Sequence, residues 1–364
     1  MKITLETATF IDSLRKAEAI APKKGEFADT TYGIILEPNA LEELLVAKAT
    51  DGIFFYMESI PILSIEGDGS ETWRVPSSVF YGSVSKLPSK MGSQVTVENE
   101  GNQVVVKSGR TVIKIPMMGW ETFPEFDFYD SSEFREFTNI TGKSNKLKWA
   151  TSNINSDPKS CVYVRGNKMY ATNNFKAARI VLDADTGVTA LYPPLTLSRV
   201  VPFGADVRVS KEQNHLIIAP DDYSQLLMQL MDDSSYPANN IDKMMEEPYQ
   251  YKSSFAKSEA IRMLDGVSPL MGKDDADKQL IMYIGKGELA FFYASESGSF
   301  GDRIEARGDC EGHARVKLCV TQSIIKSAIE SMADSVEMEY APGTMKLRFN
   351  DGNYQAVIAL RREK

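Results

Sequence analysis

Two imidazoles, three thiols and a few acidic pairs are the side chains here whose types suit chemistry, and their spacing limits what they can do. His215 and His313 each lack a metal-ligand partner at i+4, so both read as structural or surface residues and no metal site is expected. Cys161, Cys310 and Cys319 are odd in number and show no CxxC spacing. They fit a reducing compartment better than a disulfide framework or a structural zinc site. Gly67-Asp68-Gly69 and Gly285-Lys286-Gly287 hint at phosphate loops, but neither runs on into GxxG or GK[ST] and neither opens a helix. Turns between strands are the better reading. Asp232-Asp233 and Asp274-Asp275 stand beside Ser, Pro and Lys, as solvated loops do. No nucleophile elbow, Walker motif or HExxH occurs. The residues point to a protein that binds, with no cofactor, and not to an enzyme.

The elements that must position any binding residues come from a chain of 364 residues, 43% apolar and 25% charged, an ordinary globular composition. That length suggests about two to three domains. With 41 basic against 50 acidic side chains the formal charge is −9, so contact with a polyanion has to come from a local concentration of Lys and Arg. The start, Met1-Lys2-Ile3-Thr4-Leu5-Glu6, meets an acid at once and does not read as a signal peptide; no run of 18 apolar residues occurs. A cytosolic, multi-domain protein is expected.

Internal repetition organises the chain. Lys48-Ala49-Thr50-Asp51-Gly52 finds a partner at Tyr170-Ala171-Thr172-Asn173-Asn174 and a third at Tyr293-Ala294-Ser295-Glu296-Ser297, with alanines 122 and 123 residues apart. Each copy places a hydroxyl and then an acid or amide after an apolar stretch, as where a strand enters a turn. Upstream of each turn lies a helix candidate, at 7–21, about 142–154 and about 253–265, and Phe10, Leu14, Ala17 and Ala21 share one face of the first. Downstream come 77–87, 194–203 and 321–332. Pro76 and Pro193-Pro194 announce two of these, and Ile325, Ala328, Ile329 and Met332 make a stripe in the third. A β-meander follows each, at 95–115, about 206–230 and about 335–360, with turns such as Gly101-Asn102, Pro342-Gly343 and Asp351-Gly352. The expected fold is α+β, with three repeated domains at 1–130, 131–247 and 248–364. Each would pack two helices on antiparallel sheet.

Charge is segregated on the same pattern. The six helix segments together carry +9, which leaves −18 for the rest of the chain. Helices sharing a surface towards a polyanion, with acidic sheets turned to solvent, would account for this. Arg15, Lys16, Lys23, Lys24, Lys86, Lys146 and Arg199 are the expected contacts to that polyanion, because they lie on segments whose charge opposes the chain's overall sign.

Trp73-Arg74-Val75-Pro76-Ser77-Ser78-Val79-Phe80, Lys86-Leu87-Pro88, Val106-Lys107-Ser108-Gly109-Arg110 and Thr122-Phe123-Pro124 together resemble the first domain of the bacterial DNA polymerase III beta sliding clamp. Met169-Tyr170-Ala171-Thr172-Asn173-Asn174-Phe175-Lys176 resembles that family's second-domain turn, VATDGHRL, and Met231-Asp232-Asp233-Ser234-Ser235-Tyr236-Pro237 its exit, LVDGRFP. The resemblance implies a ring of two chains joined head to tail, helices inside and sheets outside, threaded by duplex DNA without sequence preference. It implies a processivity factor in the cytoplasm, associated with the nucleoid or in a host cell if phage-encoded, that tethers the replicative polymerase and is opened by a clamp loader. It also implies an apolar cleft for a partner's linear motif, carried here by Thr172, Asn174, Phe175, Lys176, Ala177, Pro237, Val357, Ile358, Ala359, Leu360 and Arg361. The family's Gly-His-Arg-Leu becomes Asn174-Phe175-Lys176-Ala177, and its MPMRL-like tail becomes Ala359-Leu360-Arg361-Arg362-Glu363-Lys364. For the dimer contact, Ile113 and Ile115 are expected to meet Leu264, Val267 and Leu270. The competing readings are a ring-shaped structural protein of a virus and an enzyme whose active site is assembled from dispersed residues.

Overall fold

Apolar residues at every second position make strands the commonest element of this chain, and the strand pairs are antiparallel. The computed structural model describes all residues except 24–29, 130–133, 155–156, 193–205, 272–278, 342 and 363–364. In chain order, β1 (Lys2–Glu6) leads into α1 (Thr7–Ile20), then β2 (Ile34–Asn39), β3 (Leu44–Thr50), β4 (Phe54–Pro61), β5 (Ser64–Glu66) and β6 (Trp73–Val75). Helix α2 (Ser77–Val84) precedes a meander of β7 (Gln94–Glu100), β8 (Gln103–Ser108) and β9 (Thr111–Pro116). Next come β10 (Arg135–Phe137), α3 (Ile140–Lys148), β11 (Val162–Arg165), β12 (Lys168–Thr172), β13 (Lys176–Val181) and β14 (Thr189–Tyr192). A second meander, β15 (Val207–Glu212), β16 (His215–Ala219) and β17 (Ser224–Gln229), ends before α4 (Ala238–Glu246). Then follow β18 (Tyr251–Ala256), α5 (Lys257–Val267), β19 (Gln279–Gly285), β20 (Glu288–Ser295) and β21 (Gly298–Glu305). The chain closes with β22 (Arg307–Gly308), β23 (Val316–Thr321), α6 (Gln322–Glu330), β24 (Ser335–Tyr340), β25 (Lys346–Asp351) and β26 (Tyr354–Ala359).

The three meanders fall where their turn residues put them. Helix α1 buries Phe10, Leu14 and Ala17 and packs beside α2, with Phe10 and Phe80 edge to face at 6.2 Å. Each of these rings contributes roughly 1.5–3 kcal/mol by leaving water. Three expectations need correction. Residues 251–256 form a strand, because Ser253 and Phe255 alternate inward against β24, so the helix begins only at Lys257. Helix α3 stops at Lys148. Helix α4, amphipathic through Ile241 and Met245, adds a helix beyond the expected two per repeat, in a stretch to which no element had been assigned. The expected helix at 194–203 lies outside the described residues.

The chain forms two compact units, one of residues 1–141 with 196–231, the other of 142–195 with 232–364. The first contains a five-stranded sheet, β5-β1-β7-β8-β9, and an eight-stranded one, β10-β15-β16-β17-β4-β3-β2-β6. The second contains a nine-stranded sheet, β14-β11-β12-β13-β26-β25-β24-β18-β22, and a four-stranded one, β21-β20-β19-β23. Both long sheets are sealed in the same manner. In the first unit β17 pairs with β4, setting Leu227 opposite Phe55; in the second, β26 pairs with β13, setting Val357 opposite Ala177. Each time, the last strand of a meander joins the strand that follows a repeated turn. Two such strands are left at sheet edges among the described residues: β9, which ends the first meander, and β21, which follows the third turn. Gly266 lets β21 close on α5, since a Cβ there would lie 2.6 Å from the Phe300 ring. Among the described residues no helix is long and apolar enough to cross a membrane. The three cysteines are free and buried.

Candidate functional site

The second unit carries an apolar groove built outward from one turn. After β12, the Thr172 hydroxyl donates to the Lys176 carbonyl (2.9 Å) and accepts from the Asn174 N–H (3.2 Å). The Asn173 side-chain oxygen accepts from the N–H groups of Phe175 (3.0 Å) and Lys176 (3.1 Å). Asn174 takes the left-handed conformation (φ 77°), which asparagine tolerates better than most residues. This locked turn throws Phe175 outward, 66% exposed, at the lip of a cavity of about 300 Å³.

Thr172, Asn174, Phe175, Lys176, Ala177, Pro237, Val357 and Ala359, all expected from sequence, line that cavity together. Three expected residues do not. Ile358 is buried on the opposite face of β26, since neighbours on a strand point to opposite sides. Leu360 is buried, and Arg361 turns away to donate to the Thr321 hydroxyl at 2.8 Å. Asn240, Ile241, Met244, Met345 and Lys346 line the cavity without having been expected. The Ile241/Met244/Met245 spacing was the available signal for the helical wall.

Asp242 pins that wall. Its carboxylate accepts from Arg179 (2.6 Å), Tyr170 (3.0 Å), Arg165 (3.1 Å) and Lys168 (3.2 Å). Burial would raise its pKa, but the hydrogen bonds from Arg179, Tyr170 and Lys168 outweigh this and hold it below the ordinary aspartate value. Burial, then the bond to Asp242, pushes the Tyr170 phenol up to about 12. At the other wall the Ala359 N–H donates to the Phe175 carbonyl at 2.7 Å. Lys176 lies 5.6 Å from the Trp149 ring, and burial pulls its ammonium below the usual lysine value. Lys346 pairs with Glu247 at 2.8 Å. Among the described residues the lining is thus mostly apolar, with one hydroxyl, two amides and two lysines and no carboxylate, thiol or imidazole. Such a surface suits a short apolar segment with acidic flanks.

The helix cations are less uniform than their summed charge suggests. Lys16 is buried, with its ammonium 3.0 Å from Glu58 and 3.2 Å from Asp12. Burial alone would depress its pKa, but the two carboxylates hold it above the usual value. Lys16 is therefore committed inside the fold. Lys16→Met should leave Glu58 buried with only the Tyr56 hydroxyl, costing about 3–5 kcal/mol in urea unfolding. Arg15 pairs with Asp12 at 2.7 Å, and Lys146 with Asp351 at 2.9 Å. Lys23 and Lys86 are exposed, as is Lys148, and Lys86 and Lys148 have no carboxylate partner among the described residues. Lys24 and Arg199 lie outside the described residues.

The proposed contact residues between chains also divide. Ile115, Leu264 and Val267 are buried in the core, whereas Ile113 and Leu270 are half-buried; Val112, which was not among the expected contacts, is exposed beside Ile113. A strand or helix bearing apolar residues on two faces cannot show from spacing which face is already covered.

No family model matches the sequence, and no curated protein does. Solved structures match throughout. The DNA polymerase III beta subunit of Thermotoga maritima superposes with a TM-score of 0.81 at 16% identity, with 100% of each chain covered. That of Pseudomonas aeruginosa gives 0.84 at 12%, again over 100% of each chain. The Helicobacter pylori beta clamp bound to a DNA ligase peptide gives 0.78 at 15%, over 100% of each. The chain has the sliding-clamp fold, of α+β class.

Proposed function

We propose that this chain is a DNA sliding clamp: a ring of two copies that encircles duplex DNA, tethers a replicative polymerase through a linear motif, and performs no chemistry. Sheet completion is the observation that carries the reading. Twice within the chain, the last meander strand of one repeat joins the strand after the turn of another. The remaining members of that series, β9 and β21, are edges. If β9 of one copy takes up β21 of the next, a heterologous contact forms that closes after two chains. Repeating the internal register would set Val112 opposite Asp302 and Ile113 opposite Gly301. Unpaired edges otherwise invite uncontrolled pairing, and closure removes both.

Topological linkage lets the contacts to DNA be weak, sequence-independent and mobile. Lys23 and Lys86, which follow the ends of α1 and α2, and Lys148, the last residue of α3, are the exposed cations best suited to phosphate, with Arg15 and Lys146 available by exchange from their carboxylates. Tethering makes return of the polymerase to the primer end intramolecular, at effective concentrations of order mM. The Helicobacter pylori clamp bound to a DNA ligase peptide is the precedent for linear-motif capture. A clamp loader would open the ring.

The decisive test is retention on circular DNA with loss on linearisation; equal loss from both refutes encirclement. Lys86→Glu with Lys148→Glu should also weaken low-salt binding to linear duplex and flatten its salt dependence by about 0.9 per phosphate contact removed. Asp68→Lys, at an exposed turn, should leave the slope unchanged.

A further inference from the structure

The fold builds the groove twice. In the first unit the Thr50 hydroxyl donates to the Phe54 carbonyl (2.6 Å) and accepts from the Gly52 N–H (2.9 Å). Asp51 accepts from the N–H groups of Ile53 (2.9 Å) and Phe54 (2.8 Å). This is the Thr172–Lys176 turn bond for bond, with Gly52 (φ 88°) in the place of Asn174. The strand pair below it is equivalent too, Phe55–Leu227 standing where Ala177–Val357 stands. The approach of the second wall repeats as well: the Phe123 N–H donates to the Trp120 carbonyl (2.9 Å), as that of Tyr236 does to Asp233 (3.0 Å), and a proline follows each. Above Phe55 and Leu227 lies a cavity of about 360 Å³, walled by residues 125–129 and His215.

The chemistry of the second groove is inverted. Where the first has small floor residues and two lysines, this one has the rings of Phe55, Phe126, Phe128 and Tyr129 with the carboxylates of Glu125 and Asp127. Phe126 stands edge to face with Phe55 at 5.2 Å, and Phe128 and both acids are exposed. Lys48 is 2.8 Å from Glu37, 4.0 Å from Asp127 and 5.8 Å from the Phe126 ring centroid, so one of the chain's own cations already stands beside this ring and carboxylate. His215 places its Nδ1 in the wall, buried and without a hydrogen-bond partner among the described residues. Aromatic faces beside carboxylates attract a cationic side chain and repel phosphate and acidic peptide.

We propose that this groove is a second peptide-docking site, whose occupant is a segment carrying an arginine or lysine next to an apolar residue. Two grooves of one frame and opposite charge sort partners by the sign of their flanks. The site stands whether or not the chain encircles DNA.

The chain contains only two histidines, so its imidazole C2–H resonances form a two-signal reporter. His215 lines the groove, whereas His313 is stacked on Tyr251 at 4.2 Å in the other unit. The probe is acetyl-Leu-Arg-Leu-Arg-Gly-amide, titrated to millimolar concentration against the full chain, beside the same peptide with glutamate for arginine. The basic peptide should shift His215 saturably, leave His313 in place and act equally on the Met244→Asp chain. Glu125→Lys with Asp127→Lys, at exposed positions, should abolish the response while the His313 signal reports an intact fold. No saturable shift at His215, a shift that survives the double reversal, or an equal response to the acidic peptide would overturn the site.

Discussion

Ile113→Asp should convert the proposed dimer to a species of 40.5 kDa in sedimentation at micromolar concentration, with little change in melting temperature. Ile113 is half-buried on the edge strand β9, so the isolated chain tolerates a charge there, but the closed ring would bury it. A head-to-tail ring of two contains the contact twice. Losing roughly 2 kcal/mol at each of two interfaces weakens association about a thousandfold. A second measurement fixes the register. Val112→Cys combined with Asp302→Cys should give a covalent dimer on oxidation, because directly opposed residues of antiparallel strands have Cα atoms about 4.5–5.5 Å apart, within disulfide range. The native thiols are buried and do not compete. A monomer before any substitution, or cross-linking only in some other register, would remove the β9–β21 contact. Ile115→Asp does not serve here, since Ile115 faces the core and its loss reports on folding.

The second large effect concerns the groove. A fluorescent six-residue peptide with Leu and Phe anchors and acidic flanks should bind the chain, and Met244→Asp should weaken it at least about 30-fold, the cost of losing an anchoring contact of about 2 kcal/mol. Met244 faces the cavity from α4, whereas its neighbour Met245 is buried behind it, so the two substitutions separate groove from fold. Lys346→Glu should reduce affinity more at low than at high salt, as a rim charge does. Asp242→Ala should act indirectly: it frees four donors and loosens α4, so affinity falls while any peptide still bound keeps its preference for acidic flanks. Binding indifferent to Met244→Asp would move the partner surface elsewhere. Ile358→Asp would say nothing about the groove, because that side chain lies behind β26.

The parts of this architecture legible in the sequence are those written locally. The hydroxyl-then-acid-or-amide turn repeats because the same hydrogen bonds repeat, and Thr50 and Thr172 make identical partners 122 residues apart. Meander strands could be located because Gly101, Gly109 and Gly352 take positive φ at their turns. What escaped was decided by distant residues. Lys16 looked like a surface cation until Glu58, 42 positions away, was brought against it. Leu264 and Val267 carried the right chemistry for an interface on a helix face already covered. The wall formed by α4 was hidden by Asn239 and Asn240 after a proline, a polar opening that reads as loop, and its pinning by Asp242 depends on four donors from three strands.

Because the middle third of the chain gives strands to both long sheets, the molecule resists division in an instructive way. A polypeptide starting at residue 232 would keep β24, β25 and β26 but present Tyr354–Ala359 as a bare apolar edge, since β13 lies in the part removed. A polypeptide ending at residue 231 would carry that missing strand, equally bare. Each fragment is aggregation-prone alone and is the specific remedy for the other. A cut between β17 and α4 would therefore give a matched pair whose reunion rebuilds the groove, with peptide capture as the signal that the halves have met.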